Sequence, residues 1–314
     1  MAITAATNTS DFDGFLTPAE SAPIFDDARR QSAFQQLIPQ VPLGINGQKV
    51  PVVTTKPTAN WVGEGDRKPA TSMGMDLLFI EPKKLAAIAV LSSEVVRANP
   101  GNINGQLRPY LAEAFAIAFD LAVGYDVGGD GTGTSPFSNP LNATTKSVTI
   151  GTAAQSAGGI YGDFVAGMSL LVQDGKRLTG FALDDDLEPT LWGAVDSTGR
   201  PLYTELPTDA TSQTLARPGR LLNRPSFMGE GVGNGTTRAF GGDFRKAAWG
   251  VVGGISYRVS TEATVTINGS LTSLWENNLV AVLAEAEYGY VNADVASFVK
   301  YVDAASSSSS SSSS

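Results

Sequence analysis

The chain has 314 residues, 42% of them apolar and 17% charged, with 22 basic against 31 acidic side chains and a net charge of −9. Cys and His are both absent, which excludes thiolate and imidazole metal sites, disulfide frameworks, thiol nucleophiles and any Ser-His-Asp triad. The acidic excess argues against sequence-specific reading of nucleic acid, which works through a basic footprint. The longest apolar runs, Leu85–Leu91 and Leu279–Ala284, are far shorter than the ~20 residues of a membrane-spanning helix. Met1–Gly14 has neither a basic n-region nor an apolar h-region, so no secretory signal is read there and a cytosolic protein is expected.

Residues 1–44 show little periodicity beyond a helical spacing over Pro23–Leu37 (Ile24, Ala28, Phe34, Leu37) and read as an extended arm. The β-type runs Pro51–Val53, Trp61–Val62 and Leu77–Ile80 surround a polar tip, Gly63–Pro69, which predicts a long two-stranded hairpin. Such a hairpin is barely stable alone, so it is expected to rest on another surface, such as a second subunit. Lys83–Leu91 reads as a strand, and Ser92 is placed to cap a short helix over Ser93–Ala98.

The longest helix is predicted over Asn104–Tyr125. Ile103, Leu107, Leu111, Phe115, Ala118 and Leu121 form its apolar stripe, Glu113 and Asp120 fall off it, and Pro109 marks a start or a kink. Asp126–Asn139 reads as loop. An amphipathic helix is expected over Asp163–Asp174 with Gly175 as its C-cap. The strand Phe181–Leu183 is followed by a short helix up to Trp192, capped by Asp184 or Asp185. Arg224–Phe240, with glycines at 229, 231, 233 and 235, reads as mobile loop. Strands are then predicted at Trp249–Val252, Ile255–Val259, Thr264–Ile267, Leu279–Glu287 and Val295–Val302. Residues 304–314 form a Ser-rich tail of low complexity.

Few chemical motifs survive inspection. Asp184, Asp186 and Glu188 supply the carboxylates that a hydrolase or a divalent-cation site requires, but adjacent carboxylates opening a helix are explained more simply by capping and the helix dipole. Asp126–Gly131 resembles the opening of a calcium loop, yet its twelfth position is Phe137 rather than Glu. The glycines at 229–235 match neither the dinucleotide fingerprint nor the P-loop. No catalytic, cofactor-binding or metal site is therefore assigned.

An ordered series of segments does carry a resemblance. Ala59-Asn60-Trp61-Val62-Gly63-Glu64-Gly65, Lys84-Leu85-Ala86 leading to Leu91-Ser92-Ser93-Glu94, and Phe119-Asp120-Leu121-Ala122 come first. Val195–Pro201, Leu221–Pro225, Phe240-Gly241-Gly242-Asp243-Phe244-Arg245-Lys246-Ala247, and Asn278–Val282 with Tyr288-Gly289 follow. In this order they resemble the major capsid proteins of tailed phages, with the Hong Kong 97 fold, over about residues 15 to 302. The resemblance implies an α+β subunit with an N-arm at 1–44 and an E-loop hairpin at 45–84. It implies a peripheral domain with a long spine helix at 85–125 and 250–287, and an axial domain at 126–249 and 288–303.

It also implies a structural protein rather than an enzyme, whose pentamers and hexamers build an icosahedral head around double-stranded DNA without sequence-specific contact. Portal, scaffold and decoration proteins are its expected partners, with no membrane and no cofactor. Assembly is expected in the host cytoplasm. Trp61, Glu64, Arg67 and Lys68 at the hairpin tip are the candidate inter-subunit contacts. Some family members join subunits by an isopeptide bond; Lys56, Lys68 and Asn277 are the candidates here. The helper position falls on Ala284, with Glu285 beside it, which argues against the bond. Where the family often has Arg, this chain has Glu287. An encapsulin-type shell shares the fold and is the nearest alternative; a carboxylate-dependent hydrolase is the alternative of another class.

Overall fold

The computed structural model describes residues 32–98, 103–125, 127–129, 131–194, 203–205, 217–267 and 269–304. In chain order, helix α1 (Ala33–Leu37) precedes strands β1 (Gln48–Thr55), β2 (Gly74–Ile80) and β3 (Lys83–Ser92), then α2 (Ser93–Ala98) and the long α3 (Ile103–Gly124). Strand β4 (Ser147–Thr149), helix α4 (Ile160–Gln173), β5 (Gly180–Leu183), α5 (Glu188–Trp192), β6 (Thr204–Glu205), β7 (Arg217–Leu221), β8 (Arg224–Met228) and β9 (Thr237–Gly242) follow. The chain closes with β10 (Ala247–Ser260), β11 (Thr264–Ile267), β12 (Ser270–Ser273), β13 (Leu279–Asn292) and β14 (Phe298–Val302).

Two sheets carry the core. A three-stranded antiparallel sheet has the order β10-β13-β3, and a seven-stranded mixed sheet the order β4-β14-β9-β5-β8-β7-β6. Strand β13 alternates Ala284, Ala286, Tyr288 and Tyr290 inward with Glu285 and Glu287 outward, the period-two pattern of a half-buried strand. Its inward face packs on α3 through Phe119, which meets Tyr288 at 5.3 Å between ring centroids and Trp249 at 5.7 Å. The seven-stranded sheet is covered by α4. There Gly167 leaves room for Tyr301, whose hydroxyl donates to the Phe164 carbonyl at 3.2 Å.

Trp249 gathers three parts of the molecule. Its indole Nε1–H donates to the Ile38 carbonyl at 3.0 Å and its backbone N–H to the Pro39 carbonyl at 3.2 Å. Its own carbonyl accepts from Val41 N–H at 2.8 Å. Residues 38–41 thus add to the free edge of β10. The side chain is fully buried, worth roughly 4–6 kcal/mol of transfer free energy at about 25 cal/mol per Å², an upper limit because the unfolded chain is not fully extended.

Asp120 provides the second anchor. The stripe places it on the solvent side of α3, but it is buried, because the five-residue α1 docks there. A helix that short has no independent stability. The Asp120 carboxylate accepts from the N–H groups of Ala33 (3.0 Å) and Phe34 (3.4 Å) and from the Ser32 hydroxyl, capping α1 from a distant point in the chain. Burial pushes its carboxyl up from 3.8 to about 7, against the lowering effect of these donors.

Other expectations need amendment. Of Pro23–Leu37 only the last residues are described, and α1 begins at Ala33; Val195–Pro201 and the serines after 304 lie outside the described residues. Trp61–Val62 is not strand, so the irregular tip spans 56–73. Pro109 lies inside α3. The glycine-rich stretch is no mobile loop. It is β8, a buried turn at Gly229–Val232 and β9, and Gly231 sits where a Cβ would lie 2.8 Å from that of Asp120. Trp249–Val259 is one strand interrupted by a bulge at Gly253, whose φ is +67°. The last strand starts at Phe298, after a single 3₁₀ turn at Val295–Ser297.

Trp249→Phe is expected to cost about 2–4 kcal/mol, from lost volume and the orphaned Ile38 carbonyl; urea unfolding measures it, and a loss under about 0.5 kcal/mol would contradict the anchoring role. Asp120 gives a pH signature. Its folded pKa lies above its unfolded value, so the native state holds the extra proton. Its stabilising contribution is present below about pH 4 and is lost as pH rises to about 7. Relative to Asp120→Asn, the wild type should therefore lose unfolding free energy across that window and stay level above it. A pH-independent difference would show that the carboxyl is ionised throughout.

Candidate assembly interface

The acidic triplet forms a clamp rather than an active site. Asp184 and Asp186 each accept from Arg238 Nη1 at 2.9 Å, and Asp303 accepts from Nε at 2.6 Å. These bonds, that to Asp303 foremost, hold the guanidinium further above its usual range. Burial nevertheless raises the Asp184 carboxyl, with the Arg238 hydrogen bond working against it. Asp184 stands at the N-cap position of the 3₁₀ turn it precedes, and its Oδ2 also accepts from Arg238. Two of the three carboxylates a hydrolase would draw on, Asp184 and Asp186, are therefore bound to one guanidinium. Among the described residues no cluster of three or more acidic side chains could hold a metal ion.

The hairpin has the opposite character. Its base is fixed: Ile80 is buried with Leu43 and Ala248. Gly250 and Gly289 face each other across β10 and β13, and a Cβ on Gly289 would fall 2.5 Å from Ile80 Cγ2. Beyond that point β1 and β2 pair only with each other. Trp61, Glu64, Arg67, Lys68 and Lys56 all lie on the exposed irregular tip. The tip is held locally by Thr58 N–H on Thr71 Oγ1 (2.9 Å) and by a turn in which Asp66 caps Gly63 N–H (3.2 Å). Trp61 is completely exposed, and Met73, Met75, Leu77 and Phe79 are each at least half exposed. That run of alternate apolar positions on β2 was not singled out from the sequence, although its two-residue spacing is legible there. Contiguous exposed apolar surface of this kind marks a contact surface.

The three cross-link candidates are not brought together within one subunit. Lys56 lines a cleft beside Lys176 and Arg245, Lys68 lies on the tip, and Asn277 sits in the turn between β12 and β13 with its amide donating to the Ser273 carbonyl at 2.8 Å. Ala284 is fully buried. Glu285 faces outward and accepts from Lys84 at 3.0 Å, with Arg258 3.8 Å away.

Comparison with known proteins places this architecture. The model of the phage capsid family matches residues 13–303. The chain is 41% identical over 307 residues to the probable major capsid protein gp17 of Mycobacterium phage D29, covering 96% of this chain and 94% of that one. It is 42% identical over 306 residues to the probable major capsid protein gp17 of Mycobacterium phage L5, covering 94% and 91%. A solved structure of Gordonia phage Cozz superposes with a TM-score of 0.66 at 26% identity, over 88% of this chain and 87% of that one. The observed fold is the α+β fold that the Hong Kong 97 resemblance implies. From its arm-docked core to its unpartnered hairpin, the chain belongs to the phage capsid family.

Proposed function

We propose that this chain is the major capsid protein of a tailed phage, and that its pentamers and hexamers close into an icosahedral head around double-stranded DNA. The observation that carries the reading is the full-length family match, to which the structure adds a long hairpin with an apolar face and a fully exposed Trp61. A subunit that worked alone would leave this surface at a cost, whereas a closed symmetric shell buries it many times over and so tolerates weak individual contacts. Trp61, Glu64, Arg67 and Lys68 then meet a neighbouring subunit. Portal, scaffold and decoration proteins are the further partners this reading implies, and assembly takes place in the host cytoplasm.

In this reading residues 1–44 are the N-arm and 45–84 the E-loop. Residues 85–125 and 250–287 form the peripheral domain around α3, and residues 126–249 and 288–303 the axial domain. Strands β10 and β13 pair across the boundaries at 250 and 287, from Ala247–Asn292 to Val252–Glu287 and, after the bulge at Gly253, from Ser256–Glu285 to Ser260–Ala281. The two domains therefore share a backbone ladder.

The purified chain should give closed shells of uniform diameter by light scattering and negative-stain imaging, with nucleic acid inside native particles; a packaged enzyme instead would favour an encapsulin-type shell. Deleting residues 54–68 should leave a folded subunit, since the core lies outside the hairpin, yet abolish closed shells. Intact particles from that deletion would refute the hairpin's role. No covalent weld is proposed, because both lysines are exposed and the helper position is Ala284. Boiled particles should accordingly run as a single monomer band on a denaturing gel, and a ladder of oligomers would overturn this.

A further inference from the structure

The seven-stranded sheet is electrically polarised along its strands. Strands β5, β8 and β14 run the same way and β9 runs against them, so the starts of the first three share one end of the sheet with the finish of β9. That end carries Lys146, Lys176, Arg177, Arg224, Arg245 and Lys246. Its three carboxylates are each already paired: Asp174 with Lys146, Asp243 with Arg245 and Asp294 with Lys176. Among the described residues Arg177, Arg224 and Lys246 have no ion-pair partner. Arg177 and Arg224 are exposed, placed by the Gly175 turn after α4 and by the two-residue turn Leu222-Asn223, both of whose φ angles are positive.

The opposite end, roughly 13–20 Å away by strand length, carries Asp184, Asp185, Asp186, Glu188, Glu230 and Asp303. Arg238 is the cation that Asp184, Asp186 and Asp303 share. At the basic end a cleft of about 860 Å³ opens between the Lys176–Arg177 and Asp243–Lys246 turns on one side and Val52–Thr54 and Lys56 of the hairpin on the other.

We propose that these two ends are the halves of a head-to-tail contact: the carboxylate end of one copy, where Asp184, Asp186 and Asp303 share the single Arg238 and Glu230 is exposed beside them, seats in the basic cleft of the next. This deepens the capsid reading and rests on it. A two-fold contact would set like charge against like, so the polarity selects a heterologous interface, the kind that closes into rings by rotation. Charge complementarity also explains how an acidic protein gains a strongly basic cleft whose natural occupant is its own copy: the phosphate-repelling charge is concentrated where a neighbour neutralises it. The hairpin forms one wall of the cleft, so the seated copy lies under the surface that the capsid reading assigns to subunit contact.

The test uses the full chain in three forms: Arg177→Glu/Arg224→Glu, Asp186→Lys/Glu230→Lys, and the combination of all four. Thermal unfolding checks each fold, and sedimentation and light scattering follow association at low salt. Each pair reversal should raise the concentration needed for assembly by roughly tenfold or more, and the combination should bring it back to within about threefold of wild type. Should a reversal impair folding, Arg177→Gln/Arg224→Gln and a titration to about 0.5 M NaCl, where the Debye length is about 4 Å, give the same weakening. Reversed variants that assemble like wild type, or a combination that fails to recover, overturn this contact while leaving the capsid reading intact. A wild-type chain that stays monomeric at low salt, both alone and with a scaffold protein added, overturns both. Binding of a labelled DNA duplex that Arg177→Glu/Arg224→Glu abolishes makes the cleft a DNA surface and overturns the contact.

Discussion

Trp249 holds the arm, the long helix and the three-stranded sheet in one place, and the geometry of the other parts depends on that junction. Its indole fills the core against Phe119 while its polar atoms pair residues 38–41 along the edge of β10. An edge strand without a partner invites pairing with a foreign chain. Here the arm occupies that edge in cis, so the sheet is sealed where it is apolar. Two residues on from the docked segment, Leu43 meets Ile80 and fixes where the hairpin leaves the body. The hairpin's direction is therefore set by the packing of the core, although the hairpin itself adds almost nothing to that core.

This division between a sealed body and an unsealed extension is what a shell subunit requires. The body must fold before it meets its neighbours, and it has two aromatic clusters of its own, one around Phe119 and one around Phe164, Phe181 and Tyr301. The extension must stay available. A hairpin with Trp61 and the four side chains of Met73, Met75, Leu77 and Phe79 in water is stabilised by its strand pairing and its base. In the proposed shell, burial of those side chains is deferred to assembly, where it drives association instead of folding.

The regular elements were legible wherever apolar spacing was strong. Strands β3 and β13 and helices α3 and α4 stand close to where their periodicity puts them, and the hairpin follows from two β-type runs around a polar tip. The misreadings share a physical cause, which is that a long-range partner redefined a local signal. Asp120 reads as a solvent-side residue until α1 supplies three donors to its carboxylate. The 184–186 carboxylates read as helix caps alone, and nothing local shows that Arg238, more than fifty residues on, binds two of them. The glycines at 229–233 read as mobility, yet some are there because α3 and Asp184 come too close for a Cβ. No window of local sequence contains those partners.

The charge pattern shows the same limit from another side. A net charge of −9 describes the chain as uniformly acidic, and summing along the sequence cannot reveal that topology sorts the charges. Because β5, β8 and β14 are co-directional, the residues that precede them collect at one end and those that follow at the other. Arg177 and Arg224 are 47 positions apart in sequence yet line the same surface hollow. A polarity of this kind costs little in the isolated subunit, where exposed charges are solvated and screened. In the proposed contact it takes effect only when a second copy presents the opposite end, and the same arrangement then gives a growing ring its direction.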